Sequence, residues 1–204
     1  MKIYSYVVKH DTGFAPNAFW GYCTLACCKP KIRKLATVGD WVVGTGSVEN
    51  IGNDKLIYAM KITEKLSFEQ YSRDKRFQNK IPAKGLMEER GDNIFYKGEN
   101  SGYILRKSLH NTEEQKRTDL SADSVLVADW YFYFGKNGCL IPAEFRAVIK
   151  KGPAHKCNFD QNFSSRFIKW LEENFQRGLQ GEPFDYKEKL FVSDYEKIAV
   201  NTSC

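Results

Sequence analysis

The sequence predicts an α+β fold: a small curled β-sheet or barrel with flanking helices and an inserted loop region. Short runs rich in β-branched and aromatic residues outnumber the helical stretches. Helices are expected after the first strand and near the end. The run Ser124 to Gly135, SVLVADWYFYFG, is apolar on both faces, as a central strand should be. At 204 residues a single domain is expected. Its core covers about 1–77 and 121–180, an embellishment about 78–120, and a tail 181–204.

Lys2 to Lys9 reads as the first strand, with Ile3, Tyr4, Tyr6, Val7 and Val8 as its strand formers. His10 to Gly13 is turn chemistry. Phe14 to Tyr22 combines Pro16 and Asn17 with four aromatics, too irregular for an element and too apolar for a solvated loop. Cys28 to Ala36 predicts a short helix with Pro30 in its first turn, Ile32, Leu35 and Ala36 inward, and the cations outward. Gly39-Asp40 turns into a strand over Trp41 to Val48, with Gly44 and Gly46 on one face, where a ring, a backbone or a ligand can come close. Leu56 to Leu66 pairs back on it. Phe68 to Phe77 predicts a short helix with Phe68, Tyr71 and Phe77 inward. Short strands follow at Asp92 to Tyr96 and Tyr103 to Leu105, then the Ser124 to Gly135 strand and another at Phe145 to Ile149. Phe163 to Gln176 carries Phe167, Trp170, Leu171 and Phe175 on one stripe, a helix capped by Ser164 or Ser165. Phe191, Tyr195 and Ile198 are docking points for the tail.

Composition narrows the function classes. The aromatic fraction is 14%, more than one core need consume, which leaves rings for a stacking platform. The net charge of +6 favours an anionic partner. Six cysteines in 204 residues do not make a disulfide scaffold, and no apolar run is long enough for a membrane span. The expectation is a soluble cytoplasmic protein with no membrane association.

Cys23, Cys27 and Cys28 cluster, but there is no Cys-x-x-Cys pair and no zinc-knuckle spacing, so neither a metal nor a cofactor is predicted. Cys23 can serve as a nucleophile if His10 or His110 folds beside it. Asp92, His110 and Asp129 complete the pool of catalytic groups, with Asp129 notable as a carboxylate inside the apolar strand. Asp40 has a structural role open to it, tying its own turn. Phe14, Trp20 and Trp41 are candidates to sandwich a base, and Asn17, Thr45, Ser47 and Asn93 to read its edge. Lys29, Lys31, Arg33 and Lys34 lie within six residues and suit phosphates, or merely a solvated helix face.

The stretch GFAPNAFWGYCTLACCKPKIRKLATVGDWVVGTGS, with LIYAMKITEKLSFEQY, GDNIFY, Ser108-Leu109-His110 and YFYFG before Ile141-Pro142, resembles the bacterial and phage family called nucleotide modification associated domain, type two. The resemblance spans roughly residues 1–150 and implies a role in nucleic-acid base modification through genomic context. The order strand, helix, Gly-Asp, strand is more distantly similar to the PUA-like group that includes EVE, YTH and ASCH domains, small barrels that receive bases in an aromatic pocket. Together these imply a protein reading a modified base beside a basic helix, with nucleotide or nucleic acid as partner and DNA favoured over RNA. The alternatives are an enzyme using the catalytic pool, or a recruiting partner of a base-modifying enzyme.

Overall fold

The computed structural model describes residues 1–85, 87–98 and 102–185. The docking points expected at Phe191, Tyr195 and Ile198 lie outside the described residues.

Strand β1 (Ile3–Val7) pairs in parallel with β3 (Trp41–Thr45), which pairs antiparallel with β4 (Lys55–Lys61). β4 continues to β9 (Trp130–Tyr133), and β9 pairs in parallel with the two-residue strand β11 (Gly178–Leu179). A second sheet runs in the order β2 (Cys23–Leu25), β8 (Val125–Ala128), β5 (Glu64–Leu66). A hairpin of β6 (Phe95–Lys97) and β7 (Tyr103–Leu105) stands beside them, and β10 (Cys139–Leu140) pairs with β4.

The strands expected at Leu56 to Leu66 and Ser124 to Gly135 are each divided between the two sheets. β4–β5 and β9–β8 form one antiparallel ribbon that bends between its halves. At the bend Thr63 N–H donates to Val127 O at 2.9 Å, and Asp129 N–H lies 3.3 Å from Thr63 Oγ1. The fold is α+β, as predicted, but among the described residues no sheet closes into a barrel, because this ribbon steps from one sheet to the next instead of curling on itself. Asp129 sits exposed at the bend, which relieves the cost of burying its carboxylate.

Alternation in β3 sends its side chains into two cores. Trp41 and Val43 pack with Phe132, Phe145, Phe167 and Leu171, the last two from helix α4 (Gln161–Asn174). Val42 joins Tyr4, Tyr6, Tyr58, Met60, Cys23 and Leu126 between the sheets. A third cluster, with Phe14, Phe68, Tyr71, Phe77 and Phe95, joins helix α2 (Phe68–Arg73) to the hairpin.

Helix α1 (Pro30–Leu35) is shorter than expected and differently turned: Leu35 is 56% exposed while Arg33 is fully buried. Helix α3 (Glu113–Leu120), within the stretch expected to be an inserted loop region, starts with a capping box between Thr112 and Gln115. Asp160, not Ser164 or Ser165, caps α4, its carboxylate taking the Phe163 N–H at 2.7 Å. Phe145 to Ile149 falls in a 3₁₀ segment, Ala143–Val148, and not a strand; its three-residue period puts both Phe145 and Val148 into the core. Among the described residues no helix is long and apolar enough to cross a membrane.

Candidate active site

Two consecutive non-glycine residues just before α1 have left-handed backbone, Cys28 (φ 59°) and Lys29 (φ 42°). Such conformations cost on the order of 1–3 kcal/mol each and persist only where the surroundings enforce them. Here the enforcement is visible at both ends of Cys28. Its N–H donates to Asp119 Oδ1 at 2.6 Å, and its carbonyl accepts from Arg33 Nε at 2.8 Å.

Asp119 and Arg33 are themselves fixed. Asp119, 1% exposed, lies in the last turn of α3, where a carboxylate opposes the helix dipole. Arg33 offsets that cost. Its guanidinium lies 3.6 Å from Asp119 Oδ1 and donates to the carbonyls of Asp119, Ala122 and Ser124 at 2.6–2.8 Å. The expectation that Arg33 faces solvent and meets phosphates is thereby corrected, since its donors are engaged inside the protein.

The second oxygen of Asp119 holds His110. His110 Nδ1 is 2.7 Å from Asp119 Oδ2, and His110 Nε2 is 3.6 Å from Cys28 Sγ. The Phe14 ring packs on the imidazole with centroids 4.8 Å apart. Burial alone would lower the histidine pKa, but Asp119 and Cys28 outweigh it and push it up to about 9. Thiol, imidazole and carboxylate thus stand in line, with a cationic histidine beside a half-buried sulfur. This is the nucleophile, base and orienting-acid logic of a catalytic triad.

The other residues singled out from sequence fall elsewhere. Cys23 is fully buried against the Met60 sulfur at 3.7 Å, and burial drives its thiol pKa up, which disfavours the nucleophilic thiolate. Asp92 is buried and accepts from Thr24 Oγ1 and Tyr71 Oη, both at 2.6 Å. Its pKa is raised by burial. Asn17 holds Lys80: the ammonium donates to Asn17 Oδ1 at 2.6 Å, Asn17 O at 3.1 Å and Tyr22 O at 3.0 Å. Asn93 donates to the carbonyls of Tyr71 and Phe77. Asp40 ties its turn, accepting from Lys2 N and from Thr37.

The residues expected to form one aromatic pocket are not gathered together. Trp41 is 1% exposed and stacked on Phe132 beneath α4, whereas Phe14 belongs to the cluster around α2. Thr45 is buried and Ser47 organises the turn after β3, its Oγ accepting from Glu49 N at 3.2 Å. Trp20 alone of the expected stacking rings is half-buried. Gly44 and Gly46 admit internal neighbours: a Cβ at Gly44 would stand 2.4 Å from the Tyr58 ring, and one at Gly46 2.2 Å from the Gly52 carbonyl. Lys31 and Lys34 are exposed on α1, and the Lys29 ammonium lies 4.5 Å from the Tyr6 ring centroid.

Donor atoms of Cys27, His110 and Asp119 fall within 4.8 Å of one another. Of these, Asp119 already faces the Arg33 guanidinium, and burial drives the Cys27 thiol well above its usual range.

Across residues 1–190 the chain matches the family model described as nucleotide modification associated domain 2. The chain belongs to that family. No curated protein and no solved structure matches it. The family match spans Cys28, His110 and Asp119, which are 82 and 9 residues apart along the chain. Of the three, His110 is among the residues expected from sequence, whereas Cys28 takes the place expected for Cys23 and Asp119 has no counterpart in that set. The one local signal for Cys28 is its place just before Lys29-Pro30, where a helix begins.

Proposed function

We propose that this member of the nucleotide modification associated domain 2 family is a thiol enzyme acting on a modified nucleotide base, with Cys28 as nucleophile, His110 as acid and base, and Asp119 as the group that orients His110. The observation that carries the proposal is the 3.6 Å and 2.7 Å relay from Cys28 through His110 to Asp119. The family's association with nucleotide modification supports the substrate class. DNA is the preferred context.

The reaction class that suits these groups is transfer or hydrolysis of an acyl group carried by the base. The Cys28 thiolate adds to the acyl carbon. The bond from that carbon to the leaving nitrogen or oxygen breaks, its electron pair stays on the leaving atom, and His110 Nε2 supplies the proton. Water, deprotonated by His110, then attacks the thioester. The C–S bond breaks, the carboxylic acid departs and the thiolate is regenerated, so no oxidant or reductant is consumed.

The test is alkylation by iodoacetamide at pH 7 with peptide mass mapping. Cys28 is expected to react at least tenfold faster than the exposed Cys157, and His110→Gln should slow Cys28 by tenfold or more while leaving Cys157 unchanged. Equal rates at the two cysteines, indifferent to His110, would refute the proposal. Incubation with nucleosides bearing amide- or ester-linked substituents should then add an acyl mass to the Cys28 peptide.

A further inference from the structure

Beside Lys29 the surface carries two joined grooves. One, of about 670 Å³, runs between the β1 and β3 ends and the segment 150–154, and takes in Lys9, Lys29, Lys150 and Lys151. The other, of about 650 Å³, continues along residues 146–158 and adds Arg146 and Lys156. Lys150 and Lys151 line both. Six lysines and arginines stand against one carboxylate, Glu49, which pairs with Lys9 at 3.2 Å. The local field is therefore strongly positive, far beyond what the chain's overall +6 implies.

The basic segment is held in place. Ser5 and Lys156 exchange backbone hydrogen bonds at 2.8 Å, and the Ser5 hydroxyl donates to Val148 O, so residues 148–156 are fastened to β1. The strand that carries Tyr6 and Val7 thus positions both walls. Neither groove is lined by a phenylalanine, tyrosine or tryptophan. That chemistry suits phosphate and sugar, not a stacked base. Each groove alone is within the roughly 300–1,000 Å³ that one small ligand fills, so the two together have volume for more than one such ligand.

We infer that the joined grooves are a track for the phosphodiester backbone of a nucleic-acid strand several nucleotides long, ending at Lys29 next to Cys28. Backbone contact at Lys150 and Lys151 would be indifferent to sequence and would bring successive nucleotides to the thiol. The delivery to Cys28 rests on the thiol reading above; the backbone contact stands without it.

The test uses the full chain, a single-stranded DNA 12-mer and a deoxynucleoside monophosphate, with affinities measured over a range of salt. Wild type should bind the 12-mer at least tenfold more tightly than the mononucleotide at low salt. Lys150→Ala/Lys151→Ala should weaken 12-mer binding tenfold or more and reduce the slope of log K against log salt by about 1.4, two phosphates at about 0.7 each. Arg73→Ala/Lys97→Ala, at residues that pair with Glu69 of α2 and line neither groove, should leave both values unchanged. The track is overturned if the Lys150/Lys151 variant binds as wild type does, if the mononucleotide binds as tightly as the 12-mer, or if wild type binds neither. Cys28 alkylation on the same preparations should be normal in the Lys150/Lys151 variant. In wild type, absent 12-mer binding with fast Cys28 alkylation strikes the track alone, and slow Cys28 alkylation with intact 12-mer binding strikes the thiol reading alone.

Discussion

A single carboxylate holds both His110 and Cys28: Asp119 Oδ2 lies 2.7 Å from His110 Nδ1, while Oδ1 takes the Cys28 N–H at 2.6 Å. The base is therefore oriented by the same group that fixes the strained backbone of the nucleophile. Arg33 completes the arrangement from the far side, bonding the Cys28 carbonyl and facing Asp119. Helix α1 is thereby locked to the 108–111 turn and the α3 that follows it, about 80 residues further along the chain.

Asp119→Asn should accordingly act twice. It removes the charge that keeps His110 cationic, so Cys28 alkylation at pH 7 should fall at least tenfold. It also leaves the buried Arg33 without its counter-charge, a loss of about 3–5 kcal/mol by the general rule for a broken buried pair. Urea unfolding reads the second effect. His110→Gln separates the two, since it should slow alkylation while leaving the Arg33–Asp119 pair intact. Equal stability in wild type and Asp119→Asn would contradict the role given to Arg33.

The raised pKa of His110 makes a pH prediction with a definite sign. Folding lifts its pKa from about 6.5 to about 9. The folded state therefore binds the proton more tightly, and the stabilisation is full below about 6.5 and lost as pH rises through about 9. Its size is on the order of 3 kcal/mol at most. The stability gap between wild type and His110→Gln should thus narrow between pH 6.5 and 9.5 in urea titrations. A gap that stays constant over that window would mean that the Asp119 contact does not hold the proton.

Gly44→Ala tests whether the glycine face of β3 serves packing or a ligand. The added Cβ would meet the Tyr58 ring at 2.4 Å and Val8 Cγ2 at 2.6 Å. Overpacking of this kind costs about 1–3 kcal/mol, and the melting temperature should fall. Cys28 alkylation and DNA affinity should not change, because the methyl group points between the sheets. A variant of wild-type stability would mean that the space beside Tyr58 is open.

These residues also mark how far the sequence could be read. Period-two alternation identified β1, β3 and β4, and period 3.6 found α4, because burial on one face leaves a pattern that short windows detect. The bend at Thr63 and Asp129 left no such pattern. Its cause is pairing across 64 residues, so one apolar run was read as one strand where the chain makes two. The site failed to show for the same reason. His110 could be nominated by type, but choosing among Cys23, Cys27 and Cys28 needs burial, and Asp119 looks like any polar helix residue until Arg33 and His110 are seen around it. Arg33 shows the reverse error. Four cations in six residues read as a solvated or phosphate-binding face, yet one of them is an internal tie.

Lys80 supplies a pH signature of opposite sign. The side chain is fully buried, and desolvation lowers its pKa from the usual 10.5 to about 8 despite three hydrogen bonds from the ammonium to Asn17 and Tyr22. The folded pKa lies below the unfolded one, so between about 8 and 10.5 the unfolded chain binds more protons. Stability must then rise with pH across that window. Holding the charge inside costs most below about pH 8, and the cost fades as the folded lysine loses its proton. Lys80→Met removes the titration along with the three hydrogen bonds. Wild type should therefore gain stability relative to Lys80→Met as pH rises from 8 to 10.5, measured by urea unfolding at fixed ionic strength. A difference that is flat or falls with pH would show that Lys80 keeps its proton in the folded protein and that the carboxylate of Asp92 compensates its charge in full.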